Sequence, residues 1–405
     1  MSYIYNNKIA YSDSPNIDAF GRLRVSTITS ILDVKHNLDK NPLIVDEVTG
    51  GTCSSIFNEE FARVRMSAGT SGYVIRQTKK HATYQPGKSQ LFEASFSNFQ
   101  IETDIIKRVG LFESTTAATY NSEFDGLFLE SNGVTNQISF QLWRTGTLVY
   151  SSDTLSWDSG EIDPSTLDWS KTQLMVSDYQ WLGVGRVRFG LSLSGGTYYF
   201  TEHNNTNEDV DVYMSSPNQP IRYEIRSSGG TGYFDMLCSQ VSTEGPLNQG
   251  LYYTVTIPYT AETTLATSGV KYPFIGYRLS PNFPHASSKI DTASIISTSN
   301  DDHFITIEFN PTISIGRTWY DLPNTPFQYS FGTGGTETVT SSGFIVGAKV
   351  GKAASATQTE LDIQDSVIEV GANINGTVDE MWVCLQSTSN NNAKFRGLIN
   401  LRYYP

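Results

Sequence analysis

Apolar and polar residues alternate along most of this chain. That period dictates strands, because successive side chains of an extended backbone point to opposite faces. In Arg186-Val187-Arg188-Phe189-Gly190-Leu191-Ser192-Leu193, the residues Val187, Phe189, Leu191 and Leu193 share one face and Arg186, Arg188 and Ser192 the other. Gly195-Gly196 then turns the chain, and Thr197-Tyr198-Tyr199-Phe200 returns as the second arm of a hairpin. The same alternation recurs in Ile221 to Arg226, around Val64 and Met66, and in Ile138-Phe140-Leu142, Ile305-Ile307-Phe309 and Met381-Val383-Leu385. Amphipathic helical patterns are confined to short stretches near Ile101–Val109 and Glu360–Ile368, and both read equally well as strands. Short strands separated by Gly, Ser, Asn and Pro turns predict an all-β fold of antiparallel sandwiches, jelly-roll-like in kind.

Three segments follow from the punctuation. Residues 1–28, with Pro15 and scattered polar residues, read as an extended N-terminal arm. Residues 29–245 form a large aromatic-dense sandwich. The polar, Gly- and Pro-marked stretch from Ser242 to Gly250 reads as a junction. Residues 246–405 then form a second sandwich, closing on the strand-like Leu398 to Tyr404.

Composition narrows the function. With 28 Lys+Arg against 41 Asp+Glu the net charge is −13, which disfavours a surface that grips nucleic acid by neutralising phosphates. Charged residues are 17% of the chain, so polar uncharged side chains supply most of the surface. No apolar run reaches the roughly 18–20 residues of a membrane-spanning helix, and the start has no signal-peptide pattern. Cys53, Cys238 and Cys384 are too few and too far apart for a disulfide framework and read as reduced, buried thiols. No Cys or His pair has zinc-ligand spacing, so neither metal nor cofactor is expected.

Catalytic signatures are sparse. Gly183-Val184-Gly185 leads into a period-2 strand rather than a helix, so it is a turn and not a phosphate cradle. No G-x-S-x-G elbow is present, and His36, His81, His203, His285 and His303 lie in polar, loop-like surroundings. Two acidic clusters remain, Asp158/Glu161/Asp163 and Glu208/Asp209/Asp211. Either contains carboxylates of the kind a glycosidase pairs across a cleft, and the second has loop oxygens of the kind that bind Ca2+. Their plainer reading is solvated turns, and the chain is not expected to be an enzyme. Four of the six tryptophans fall within residues 143–181. All six (Trp143, Trp157, Trp169, Trp181, Trp319 and Trp382) could stack sugars on an exposed face, and Trp157, Trp169 and Trp181 are the candidate glycan contacts singled out, against the alternative that such rings fill the space between sheets. Arg63, Arg65, Arg76, Lys79, Lys80 and Lys88 read as a solvent-facing surface of mixed charge.

Three stretches resemble virion structural proteins of tailed bacteriophages. They are Asp18-Ala19-Phe20-Gly21-Arg22-Leu23-Arg24-Val25-Ser26, Tyr84-Gln85-Pro86-Gly87-Lys88-Ser89-Gln90, and the long run from Leu167 through Trp181-Leu182-Gly183-Val184-Gly185 to Tyr223-Glu224-Ile225. The segment Trp157 to Pro164 is shorter and more acidic than that family's Gly-rich counterpart. The resemblance implies a structural component of a tailed-phage virion, in the tail, collar or capsid surface, made in the host cytoplasm. Its partners would be itself as a homo-oligomer and other virion proteins, with no nucleic acid and no membrane. The alternative is a virion module that binds a host-surface glycan or receptor; a glycan-degrading enzyme stands behind both. In the assembly reading Phe20, Arg22, Leu23, Arg24 and Val25 form an arm that adds a strand to a neighbouring subunit's sheet. Equally, they form the first strand of their own domain.

Overall fold

The computed structural model describes residues 2–5, 8–11, 16–19, 21–36, 38–61, 63–114, 122–194, 196–247, 250–257, 261–283, 286–352, 358–363 and 368–404. Among these there is no α-helix; strands are joined by turns and two short 3-10 segments. The chain divides into two compact units, residues 1–248 and 249–405.

The first unit is a two-layered antiparallel sandwich. One layer has seven strands in the order β12-β11-β10-β9-β16-β7-β4. These are β4 (Ile44–Thr49), β7 (Gly72–Thr78), β9 (Ile105–Ser114), β10 (Phe124–Asn132), β11 (Gln137–Arg144), β12 (Thr147–Asp153) and β16 (Ile221–Ser227). The other layer has eight, in the order β15-β14-β13-β8-β17-β6-β5 with β3 also paired to β17. They are β3 (Ile28–Val34), β5 (Ser54–Asn58), β6 (Arg63–Ala68), β8 (Gln90–Ser97), β13 (Gln173–Tyr179), β14 (Arg186–Leu193), β15 (Gly196–Asn204) and β17 (Gly232–Glu244). A separate hairpin, β1 (Ser2–Tyr5) and β2 (Lys8–Tyr11), precedes them. The hairpin read from the alternation around residue 195 is present as β14 paired with β15.

Alternation explains the layering. Leu111, Leu127, Leu129, Phe140, Tyr223 and Ile225 from the seven-stranded sheet meet Phe92, Phe96, Met175, Phe189, Phe234 and Met236 from the eight-stranded one in a single buried core. Each such side chain stabilises the fold by roughly 1.5–3 kcal/mol when fully buried. Lys107 points the same way as Val109 and Leu111; its ammonium donates to the carbonyls of Asn98 at 2.7 Å and Gln100 at 3.1 Å. Burial lowers its pKa from the ordinary value to about 8, against the pull of Glu102.

The second unit is also an antiparallel sandwich. Its five-stranded sheet runs β18-β30-β21-β28, with β19 also paired to β30. The strands are β18 (Leu251–Thr256), β19 (Thr263–Leu265), β21 (Ser287–Ser297), β28 (Gln358–Asp362) and β30 (Ala393–Tyr404). Its six-stranded sheet runs β24-β25-β20-β29-β22-β27. These are β20 (Lys271–Leu279), β22 (His303–Phe309), β24 (Tyr320–Asp321), β25 (Phe327–Phe331), β27 (Phe344–Gly351) and β29 (Glu380–Ser387). A two-stranded ribbon, β23 (Thr312–Ile313) and β26 (Val339–Ser341), completes the unit. Ile290, Ile295, Phe395 and Ile399 pack against Ile275, Tyr277, Ile305, Ile307 and Val383 to form its core.

One open reading closes and two expectations change. The stretches read as helix or strand near 101–109 and 360–368 contain strands, β9 and β28. The thiols are free but not uniformly buried: Cys384 is enclosed, Cys53 half-buried and Cys238 exposed. Arg76 does not face solvent; it lies inside, 1% exposed, paired with Asp46 and donating to Ser55 Oγ at 2.9 Å. Its strand position shares a face with Val74, so alternation turns the guanidinium inward and Asp46, its cross-strand partner, compensates it.

Candidate functional site

The outer side of the seven-stranded sheet is unlike an ordinary solvated face. Strand register lines its outward side chains into rows. One row reads Glu224, Arg108, Glu130, Ser139, Asp153 from β16 to β12. The next reads Gln77, Arg222, Gly110, Phe128, Gln141, Ser151. A third sets Gly126 between Phe112 and Trp143.

Local sequence dictates these positions. Ile221, Tyr223 and Ile225 enter the core, so Arg222 and Glu224 must face out; Ile138, Phe140 and Leu142 enter it, so Gln141 and Trp143 face out. Gly126 has φ +122°, and a Cβ there would meet the Leu111 carbonyl oxygen at 2.3 Å, so the close approach of β9 and β10 requires glycine.

The charged groups satisfy one another. Arg108 Nε donates to Glu130 at 2.6 Å, and its Nη1 pairs with Glu224. Arg222 donates to the other oxygen of Glu224 from Nε at 2.9 Å and Nη2 at 2.6 Å. Gln141 Nε2 donates to Glu130 at 3.1 Å, and the Trp143 indole N–H donates to Gln141 at 2.8 Å. The guanidiniums also lie on rings: Arg108 is 4.7 Å from the Phe124 centroid and Arg222 is 5.1 Å from that of Phe112. Phe112, Phe124 and Phe128 form a satellite cluster of their own, with Trp143 packed against it.

Burial and charge act in opposite directions on Glu224. Burial pushes its pKa up, but Arg222 and Arg108 outweigh that and hold it below the usual carboxylate range. A general acid needs the reverse shift. Arg108 also occupies the space between Glu130 and Glu224, where a scissile bond would have to lie. The row is therefore an electrostatic framework rather than a proton-transfer pair.

Around this buried framework is a half-exposed rim. Trp143, Asn132 and Asp153 are partly accessible, and Gln137 and Ser151 are exposed. Asn132 Nδ2 donates to Glu130 at 3.0 Å and Gln137 Nε2 to Asp153 at 3.1 Å, so the rim is tied both to the framework and to itself. The Trp143 ring stacks on Phe128, with centroids 6.5 Å apart and planes 15° apart, and meets the edge of Phe124 at 5.9 Å. Register spreads these groups along β11: Ser151 lies opposite Gln141, Asp153 opposite Ser139 and Asn132 opposite Gln137, the last roughly 20 Å from Trp143. The face therefore offers an apolar plane at one end and a line of hydrogen-bonding groups leading from it. Among the described residues no group of three or more His, Cys, Asp and Glu could hold a metal ion.

The residues singled out from sequence lie elsewhere. Trp157 is buried in the first core, stacked on Phe140 at 4.6 Å, with its N–H donated to the Ser152 carbonyl at 2.9 Å. Trp169 packs against Phe99 and Trp157. Trp181 meets Tyr84 edge-on and donates to the Met214 carbonyl at 3.1 Å. These three rings fill or border the core rather than form one platform.

Asp158 and Asp163 bond to the turn backbone at Gly160 and Ser165, and Glu161 is exposed beside them. Asp209 lies 3.8 Å from His203 and Asp211 pairs with Arg144 at 3.3 Å, while Glu208 is exposed. In the arm, Arg22 pairs with Asp18 and Arg24 with Asp178 of the same unit. Leu23 and Val25 are exposed, and Phe20 lies outside the described residues. Trp143 belongs to the tryptophans that the sequence offers as sugar-stacking rings, but the three singled out are Trp157, Trp169 and Trp181; the alternation of Ile138, Phe140 and Leu142 is the signal that turns Trp143 outward.

Comparison with known proteins finds no matching family model and no matching curated protein. Among solved structures, the chain is similar to the carbohydrate recognition domain of Emp47p, with 13% identity and a TM-score of 0.36 over 54% of this chain and 97% of that one. It is also similar to arcelin-5, a lectin-like defence protein from Phaseolus vulgaris, at 10% identity and a TM-score of 0.34 over 55% and 100% of the two chains. The exoplasmic/lumenal domain of VIP36 in its Ca2+/Man-bound form matches at 12% identity and a TM-score of 0.34, over 55% and 98%.

These neighbours correct the expectation of a virion structural component: they are lectin-like domains, not particle proteins. The likeness itself speaks to β-sandwich architecture alone.

Proposed function

We propose that the first unit is a glycan-binding module whose ligand lies across β10, β11 and β12 on the outer side of the seven-stranded sheet. The observation that carries this is the half-exposed Trp143, fixed by Gln141, Phe124 and Phe128 at one end of a polar track that runs along β11 through Ser151 and Asp153 to Gln137 and Asn132. A sugar ring has an apolar C–H face and hydroxyls; the indole plane complements the face of one ring of an oligosaccharide, and the carboxylate and amides along β11 complement the hydroxyls of the rings that follow. The buried ionic row beneath pre-organises the rim, so little side-chain order is lost on binding. Binding without turnover is the reading that the lowered pKa of Glu224 and the position of Arg108 support.

The test is a glycan array probed with the full chain, followed by Trp143→Ala and Asp153→Ala with thermal melting as a fold check. Binding that is lost in both variants, at a retained melting transition, is the expected result. A chain that binds no glycan, or binding that neither variant weakens, overturns the reading.

A further inference from the structure

The outward face of the six-stranded sheet in the second unit repeats the device of the first. In the first unit Trp143 sits across from Gly126 and donates its N–H to the side chain two residues earlier, Gln141. In the second, Trp382 sits across from Gly276 and donates its N–H to the side chain two residues earlier, Glu380, at 3.0 Å. A Cβ on Gly276 would meet the Trp382 ring at 2.5 Å, so the indole lies directly over the glycine. Guanidiniums again lie against rings: Arg278 is 4.4 Å from the Trp319 centroid and Arg317 is 5.6 Å from that of Trp382. Register again makes a polar row, Asp321, Gln328, Arg278, Glu380. It is bonded along its length: Arg278 Nε donates to Gln328 at 2.9 Å and Gln328 Nε2 donates to Asp321 at 2.9 Å. The accessible ring is Trp319, half-buried and 5.5 Å from Trp382, while Trp382 is fully enclosed beneath it.

We infer that this face is a second saccharide site, with Trp319 as the stacking ring and Asp321, Gln328 and Arg278 as its hydrogen-bonding rim, so that one chain binds two glycan segments. The inference extends the glycan reading of the first unit to a separate site. Such a chain gains avidity for repeating polysaccharides over isolated short oligomers, wherever the two sites can be filled by one polymer.

The experiment is isothermal titration of the full chain with a panel of soluble probes: chitohexaose, mannohexaose, xylohexaose and tetragalacturonate. The wild-type chain, Trp143→Ala, Trp319→Ala and Gln328→Ala are compared, each checked by thermal melting. Two equivalents per chain are expected, falling to one in Trp143→Ala and to one in either second-unit variant. One equivalent that Trp143→Ala abolishes and both second-unit variants leave intact overturns this inference and keeps the first-unit reading. One equivalent that Trp319→Ala and Gln328→Ala abolish and Trp143→Ala leaves intact keeps this inference and overturns that reading. No heat with any probe overturns both.

Discussion

Asp178 anchors the N-terminal segment to the first unit, and its removal should be costly. The carboxylate is fully buried and pairs with both Arg24 and Arg188, while Ser89 donates to its other oxygen. Arg188 is 1% exposed, donates to the Ile17 carbonyl at 2.7 Å and lies 4.1 Å from the Tyr199 ring centroid. Asp178→Ala takes away the buried carboxylate that this enclosed guanidinium and Arg24 share. Breaking a buried pair by removing one partner costs about 3–5 kcal/mol, because the remaining charge stays desolvated. For a domain of this size each kcal/mol shifts Tm by about 2–4 °C, so the transition of the first unit should fall by roughly 6–20 °C. Scanning calorimetry measures the shift. Hydrogen exchange should also speed up at residues 17–24, where the Ile17 carbonyl and Arg24 lose their hold. Asp178→Leu with Arg188→Met should recover part of the loss, because the enclosed guanidinium of Arg188 is then gone, while Arg24 is left with Glu244 at 3.6 Å. A fall below about 2 °C for Asp178→Ala, or a double variant no better than the single, would refute the argument from buried charge.

Gly276→Ala forces a methyl into the Trp382 ring, so it should destabilise the second unit by about 1–3 kcal/mol, read from denaturant unfolding. Trp157→Ala empties a site lined by Phe140, Phe200 and Trp169; it should cost about 3–5 kcal/mol in the same assay, while glycan binding per folded molecule stays unchanged. His36 is buried, accepts from the Asn41 N–H at Nδ1 and finds no partner for Nε2 among the described residues; burial first, then Arg76, lowers its pKa from 6.5 to about 4. The unfolded chain therefore takes up a proton near pH 6.5 that the folded chain refuses until about 4, so this group's stability is intact above pH 6.5 and lost as pH falls towards 4. His36→Gln removes this pH dependence, so in urea titrations the wild-type-minus-variant stability difference should fall as pH drops from 6.5 towards 4, and a difference that stays constant with pH would count against the burial argument.

Alternation alone carries the two sandwiches, the β14–β15 hairpin and the inward or outward sense of most side chains, because a pleated strand leaves each residue only two directions. It places Arg222, Glu224 and Gln141 on an outer face. It does not say which outer residues become neighbours. Arg108 finds Glu130 and Glu224 only through the register of three strands whose members lie 22 and 116 residues away along the chain. Trp157 and Trp143 differ for the same reason. Both are tryptophans in one aromatic-rich stretch, yet Trp157 falls in a connection that folds back against Phe140 and Phe200, whereas Trp143 is held on the outside by its place in β11. A local pattern determines the face of a strand; only pairing between distant strands decides what that face meets, since cross-strand contacts depend on register and register is a property of the whole sheet.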